Sequence, residues 1–254
     1  MLTFEIRFYP KEFGESWVDD RFQWDMIEFM KALRNNGQVL DAYSNAVRLE
    51  DCYAFRVVAP ERDSLDAAHY DERCKEFWSL IASQSLREPE IVLVGESYDV
   101  EDGCGCADPS HFVLLTTYIF FDSPVLCGDC NGSVPLYKLP WPENDHEGYG
   151  VLSWQRAYQA CDTQFMEGIG ERHGYRMMNN PNSALAQEGL RIASHLEQNT
   201  NKPFYYFLYK HYSKNKPDCP MCGDNWENHD DRCGYAYVCH DCRLISDDLA
   251  AFRS

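Results

Sequence analysis

Basic residues are scarce in this sequence: 23 Lys and Arg stand against 41 Asp and Glu, a formal charge of −18. The deficit is uneven, with 11 against 20 in residues 1–100, 5 against 13 in 101–200 and 7 against 8 in 201–254. Such a surface repels phosphate backbones at long range and attracts basic proteins, although acidity also serves plain solubility. Long apolar runs are lacking too. The longest, Phe112 to Phe121, is broken by Thr116, Thr117 and Tyr118, and is far shorter than the ~20 residues of a spanning helix. The opening MLTFEIRFYPKEF has no basic segment followed by an apolar run, so it does not read as a signal peptide. The expectation is a cytoplasmic chain without membrane contact.

Catalytic signatures are also missing. There is no H-E-x-x-H, no G-x-x-x-x-G-K-[ST] and no G-x-S-x-G, and the eight histidines are scattered. Gly168-Ile-Gly170-Glu-Arg-His173-Gly174 departs from the phosphate-loop spacing and follows no clear strand. It reads as a loop between two helices, with Glu171, Arg172 and His173 in a solvated turn. A non-enzymatic protein with no small-molecule substrate is therefore expected. No low-complexity tract is present, and no internal repeat beyond the recurrence of Cys-x-x-Cys.

Cysteine, by contrast, is plentiful, with 12 in the chain. In a reducing compartment, paired cysteines more often hold metal than each other. Cys219-Pro-Met-Cys222-Gly and Cys239-His-Asp-Cys242-Arg are two short knuckles separated by sixteen residues, a zinc-ribbon spacing. Gly223 suits a position of positive φ, and Gly234 to Val238 alternates like a strand. Four thiolates leave no open coordination position, so this zinc is read as structural. Asp102-Gly-Cys104-Gly-Cys106 and Cys127-Gly-Asp-Cys130 supply four more cysteines around one strand-like run. If a return turn at Asp122-Ser-Pro brings them together, a second four-cysteine zinc site staples this region; otherwise they are free thiols. Cys52, Cys74 and Cys161 sit on apolar faces and read as core, and Cys233 and His240 as a packed thiol and a surface imidazole.

The periodicities give an α+β chain in three parts. Residues 1–98 read as βαββαβ, a ferredoxin-like arrangement. Leu2, Phe4, Ile6 and Phe8 alternate; Phe22 to Leu33 recur at helical spacing, capped by Asp19 or Asp20 and stopped by Asn35-Asn36-Gly37. Gln38–Tyr43 and Cys52–Val58 are read as strands, Leu65–Leu86 as a helix ended by Pro89, and Ile91–Val94 as a closing buried strand. Residues 99–212 hold the second cysteine set, a strand-like Phe112–Phe121, helices near Val151–Phe165 and Asn182–Gln198 with Ser183 an alternative cap, and an aromatic strand Phe204–Tyr209. Residues 213–254 form the C-terminal zinc ribbon.

The stretch from Cys127-Gly-Asp-Cys130-Asn-Gly-Ser-Val-Pro-Leu-Tyr-Lys-Leu-Pro140 to Leu152-Ser-Trp-Gln-Arg-Ala-Tyr-Gln-Ala-Cys-Asp162 resembles a bacterial family of zinc-ribbon-containing proteins, domain of unknown function 2310. Asn36-Gly-Gln-Val-Leu40, Phe204 to Tyr209 and the C-terminal ribbon fit the same pattern. The resemblance implies zinc and, through the ribbon, a nucleic-acid role.

The best local case for nucleic acid is Lys202 to Lys216. It carries Lys202, Lys210, Lys214 and Lys216 among six aromatics, including Tyr209 and Tyr212, and no acid. Consecutive aromatics on one strand point to both faces, so half are expected in the core. Residues 214–254 hold 5 basic against 8 acidic side chains, so the ribbon brings no basic hairpin of its own. The favoured expectation is a recognition protein, an adaptor or immunity-type inhibitor, engaging a basic protein; nucleic-acid binding through Lys202–Lys216 is the alternative.

Overall fold

The computed structural model describes residues 1–13, 21–40, 46–98, 103–141, 149–212, 217–228 and 234–247. The chain divides into two compact units: residues 1–103 with 121–123 and 135–138, and the remainder.

In the first unit, Phe4, Ile6 and Phe8 are buried while Thr3, Glu5 and Arg7 are half-buried, which makes β1 (Leu2–Phe8) a strand with one core face. α1 (Arg21–Asn35) lays Phe22, Met26, Phe29, Met30 and Leu33 into the same core. Gly37, at φ +80°, lets the chain turn back, so that its amide bonds Arg34 and the next amide bonds Leu33. β2 (Val47–Arg48), β3 (Tyr53–Ala59), α2 (Glu72–Gln84) and β4 (Glu90–Glu96) follow. The sheet runs β2-β3-β1-β4 with every neighbour antiparallel; Ile6 faces Phe55 on one side and Ile91 on the other. Each large side chain buried in this core contributes about 1.5–3 kcal/mol.

Several expected boundaries shift here. Gln38–Leu40 is not a strand: Gln38 is buried, and its side-chain amide donates to the Ser64 carbonyl at 2.6 Å. Residues 41–45 and the caps expected at Asp19 or Asp20 lie outside the described residues. α2 begins at Glu72, not Leu65, because the Asp71 carboxylate accepts from the Cys74 amide at 2.6 Å and caps it there. β4 is present but not buried. Ile91 and Leu93 are each 38% exposed and Val94 is 51% exposed, because the strand lies at the sheet's edge. Residues 135–138 belong to this unit: the Tyr137 hydroxyl donates to Glu61 at 2.7 Å and Lys138 pairs with the same carboxylate at 2.5 Å.

The second unit is built on one five-stranded sheet. Its strands are β5 (Phe112–Leu114), β6 (Val125–Cys127), β7 (Phe204–Phe207), β8 (Tyr237–Cys239) and β9 (Leu244–Ser246), in the order β6-β5-β7-β9-β8. β5, β7 and β9 are parallel; β6 and β8 run antiparallel on the outside. The division read at residues 212 and 213 falls within this sheet, since β9 pairs with β7. The helices are α3 (Tyr149–Met166), α4 (Glu171–Asn179) and α5 (Ala184–Thr200), the last capped by Ser183, whose Oγ accepts from the Ala186 amide. Phe204 and Tyr206 point to one face, where Tyr206 meets Trp154 of α3, and a Cβ at Gly189 of α5 would overlap its ring. Tyr205 and Phe207 point to the other, among Val113, Val238 and Ile245.

Two expectations are corrected in this unit. The strand from Phe112 stops at Leu114 because α3 holds residues 117–120 as a loop. Asp162 accepts from the Tyr118 amide at 2.8 Å, and Gln159 donates to the carbonyls of Thr117 and Phe120 at 3.3 and 2.5 Å. Glu171 to His173 is not a solvated turn but the start of α4. Gly170 adopts φ +84° before it, and Gly174 sits so close to the Cys161 carbonyl that any side chain would clash. Among the described residues, no helix is long and apolar enough to cross a membrane.

Candidate metal centres

β6 and β8 end at the same end of the sheet, because both oppose the three central strands. Each ends in a cysteine, Cys127 or Cys239, and runs straight into a Cys-x-x-Cys turn. The Cys127 and Cys219 turns share one construction. The Asn131 amide donates to the Cys127 carbonyl at 2.8 Å and the Cys127 amide to Gly132 at 2.9 Å. In the C-terminal set, Gly223 donates to Cys219 at 2.9 Å and Cys219 to Asp224 at 2.7 Å. The residue after the second cysteine is left-handed in all three turns: Asn131 at φ 58°, Gly223 at 84° and Arg243 at 52°. Cys104-Gly-Cys106 approaches differently, tied to the first turn by the Cys104 amide on the Ser133 carbonyl at 2.8 Å.

The result is two sulfur clusters. In Cys104, Cys106, Cys127 and Cys130, and in Cys219, Cys222, Cys239 and Cys242, all four sulfurs lie within 4.8 Å of one another. None is in a disulfide. Sulfurs bound at about 2.3 Å around a tetrahedral ion stand about 3.8 Å apart, and Cys222 and Cys239 are at 3.7 Å. Both groups could hold a metal ion, and an all-sulfur donor set is compatible with zinc. Backbone amides already point at the sulfurs, Cys106 to Cys104 at 3.3 Å and Cys242 to Cys239 at 3.4 Å.

The thiol acidities follow from crowding. Burial raises Cys130 and Cys219, but backbone amides and neighbouring thiols outweigh it and hold both below the ordinary thiol value. Hydrogen bonding to Cys130 pushes Cys106 up to about 11, and burial pushes Cys239 up to about 11. Without a cation, one ionised sulfur suppresses its neighbours; a divalent ion removes that conflict.

Three surrounding contacts are not apparent from motif spacing. The buried His111 ring lies so close over Gly128, inside the first Cys-x-x-Cys turn, that a Cβ there would overlap it. His111 also meets Tyr205 edge-on at 5.7 Å, and the Tyr205 hydroxyl bonds His240 Nδ1 at 2.7 Å. The expected surface imidazole thus has a fixed partner. Arg243 makes two 2.7 Å bonds to the Glu197 carboxylate of α5, so the C-terminal turn is bolted to a helix of its own unit. The one available signal was position: Arg243 follows its cysteine pair as Asn131 and Gly223 follow theirs.

Among the described residues, the basic-aromatic segment is not brought together. Lys202 is held by the Asp108 carboxylate and the Pro109 carbonyl before β7 begins. Lys210, half-buried beyond its other end, has its ammonium pushed below its ordinary value by burial. Phe204, Tyr205, Tyr206 and Phe207 are all buried. Tyr209 is packed against Phe165 and Tyr175, and Tyr212 is 62% exposed. Lys214, Lys216 and Cys233 lie outside the described residues. Cys52 and Cys74 are buried as expected, and Cys161 is half-buried.

The family described as Domain of unknown function (DUF2310) matches residues 106–209, which take in Cys106, Cys127, Cys130 and all three helices of the second unit. An uncharacterised protein of Haemophilus influenzae is 28% identical over 232 residues, covering 84% of this chain and 85% of that relative. A second uncharacterised protein of the same organism is 30% identical over 161 residues, covering 61% of this chain and 79% of the relative. No solved structure matches the chain. These similarities establish that the chain belongs to the DUF2310 family.

Proposed function

We propose that this chain is an intracellular, non-enzymatic zinc protein whose acidic surface engages a basic protein partner, as an adaptor or an immunity-type inhibitor. The observation that carries the reading is the closure of both donor sets. Four sulfurs surround each centre, so zinc bound there has no position left for water or substrate and serves to hold the chain in shape. On this reading the N-terminal unit is a ferredoxin-like scaffold, supported by its β2-β3-β1-β4 order, and Cys219 to Cys242 form a zinc ribbon. Recognition then falls to the surface, and its charge of −18 favours a basic protein. The burial of Phe204 to Phe207 also favours protein over nucleic acid, since those rings have no free face for a base.

The second reading is nucleic-acid binding around Lys210 and Tyr212, favoured by the exposure of the Tyr212 ring. Affinity purification from the native organism, with and without nuclease, separates the two. Basic proteins retained after nuclease treatment are expected. Recovery of nucleic-acid machinery alone, lost on nuclease treatment, would overturn the first reading, and a gel shift at low salt would then test the second directly. Elemental mass spectrometry should find two zinc ions per chain; a single zinc would remove one centre.

A further inference from the structure

We propose that the outer edge of β4 is where an extended segment of the partner docks, adding a strand to the N-terminal sheet; this rests on the basic-partner reading above. Among the described residues β4 pairs only with β1, which leaves its other edge open for main-chain hydrogen bonds. From Glu90 to Leu93 the pairing with β1 is regular, from Arg7↔Glu90 to Phe4↔Leu93, and the register shifts only beyond it. That regular stretch is also unusually apolar for an exposed edge. Ile91 and Leu93 are exposed on it, Val94 is exposed at the register shift that follows, and Leu86, just before the strand, is 70% exposed. Proteins commonly protect such an edge with inward-pointing charge, proline or a covering loop. Here Ile91 and Leu93 face the same side as the core residues Ile6 and Phe4, so a docked strand would extend the apolar layer of the unit.

The charges around this edge select the occupant. Glu88 stands at its start and Glu96 at its end, and Glu90 is already shared between Arg7 and the Tyr9 hydroxyl. The nearby cations are already engaged: Arg7 with Glu5, at 2.7 Å, and with Glu90, and Arg87 over the Tyr9 ring at 3.6 Å. A second copy of this chain laid antiparallel along β4 would bring Glu88 of each molecule towards Glu96 of the other, so like charges would close both ends. A strand with an apolar centre and Lys or Arg at both ends meets the opposite condition everywhere. The structure therefore assigns this edge to a basic-ended strand of another protein.

The test uses the full zinc-loaded chain and two labelled peptides of alternating Val and Thr, one with Lys-Lys at both ends and one with Glu-Glu. Fluorescence anisotropy at low salt should show binding of the Lys-ended peptide only. The affinity should fall at least tenfold in Val94→Lys, which places a cation on the edge, and in Glu96→Lys, which alters charge without touching the apolar surface. Equal binding to wild type and both variants would place basic recognition elsewhere and overturn the edge assignment alone. Binding of neither peptide, or of both alike, would overturn it together with its charge argument. A wild-type dimer in sedimentation, dissolved by Val94→Lys, would give the edge to a second copy and equally overturn the proposal.

Discussion

Gly128 shows how closely a single position can be constrained by its neighbours. A methyl group there meets the His111 imidazole, whereas one at Gly105, between Cys104 and Cys106, meets nothing within 4 Å. Gly128→Ala should therefore cost about 1–3 kcal/mol through overpacking, and Gly105→Ala less than about 0.5 kcal/mol. Thermal unfolding of the zinc-loaded variants measures both; equal losses would mean that His111 yields. A second residue-scale expectation concerns Glu197. Its hydrogen bonds from Arg243 hold its carboxyl below the ordinary value, against the opposing effect of burial. A depressed carboxylate stabilises the fold above its unfolded pKa and loses that contribution as pH falls through the folded value. Wild type should thus exceed Glu197→Gln in stability at neutral pH. The gap should close as pH drops below about 4, the range where an unperturbed glutamate protonates. A gap independent of pH in denaturant titrations would assign the pair no electrostatic role.

At the scale of elements, local chemistry decided where helices begin. α5 starts where Ser183 can accept from the Ala186 amide, at 3.1 Å, while its own hydroxyl donates to the Met177 carbonyl at 2.6 Å. Ser183→Ala should cost about 1–2 kcal/mol, read from the midpoint of urea unfolding, because both bonds are lost at once. Strands were less legible. Phe112–Phe121 has the composition of a long strand, yet Gln159 and Asp162, one helical turn apart on α3, take the backbone groups of residues 117–120 that a neighbouring strand would otherwise use. Ile91–Val94 has the composition of a buried strand. Its place at the edge was invisible, because apolar content reports what a strand would bury, not whether a neighbour arrives to cover it.

At the scale of the whole molecule, the two sulfur clusters and the five-stranded sheet cannot be separated. Cys127 and Cys239 are the last residues of the two outer strands, and β9 pairs with β7 in the sheet's interior. Removing metal should therefore loosen the sheet of the second unit as a whole, not only the last ~40 residues, since small modules have little core without their ion. The first unit has its own core and should persist. Chelation followed by limited proteolysis and circular dichroism checks this. Cuts confined to residues beyond 212 would show that the C-terminal cysteine segment unfolds alone.

The sequence by itself determined the cysteine pairs, because a short Cys-x-x-Cys spacing confines two thiols to one turn whatever surrounds it. It also determined the α+β character and the faces of β1 and α1, through periods that depend only on local backbone geometry. Only the tertiary structure decided that Cys104 and Cys106 meet Cys127 and Cys130, and that the C-terminal cysteines share a sheet with the first set. It alone buried Phe204 to Phe207 on both faces and separated Lys202 from Lys210. The reason is physical. Strand pairing joins residues far apart in the chain: β5 sets Phe112 beside Cys127 on one side and beside Phe204 on the other, and no local pattern encodes such a meeting.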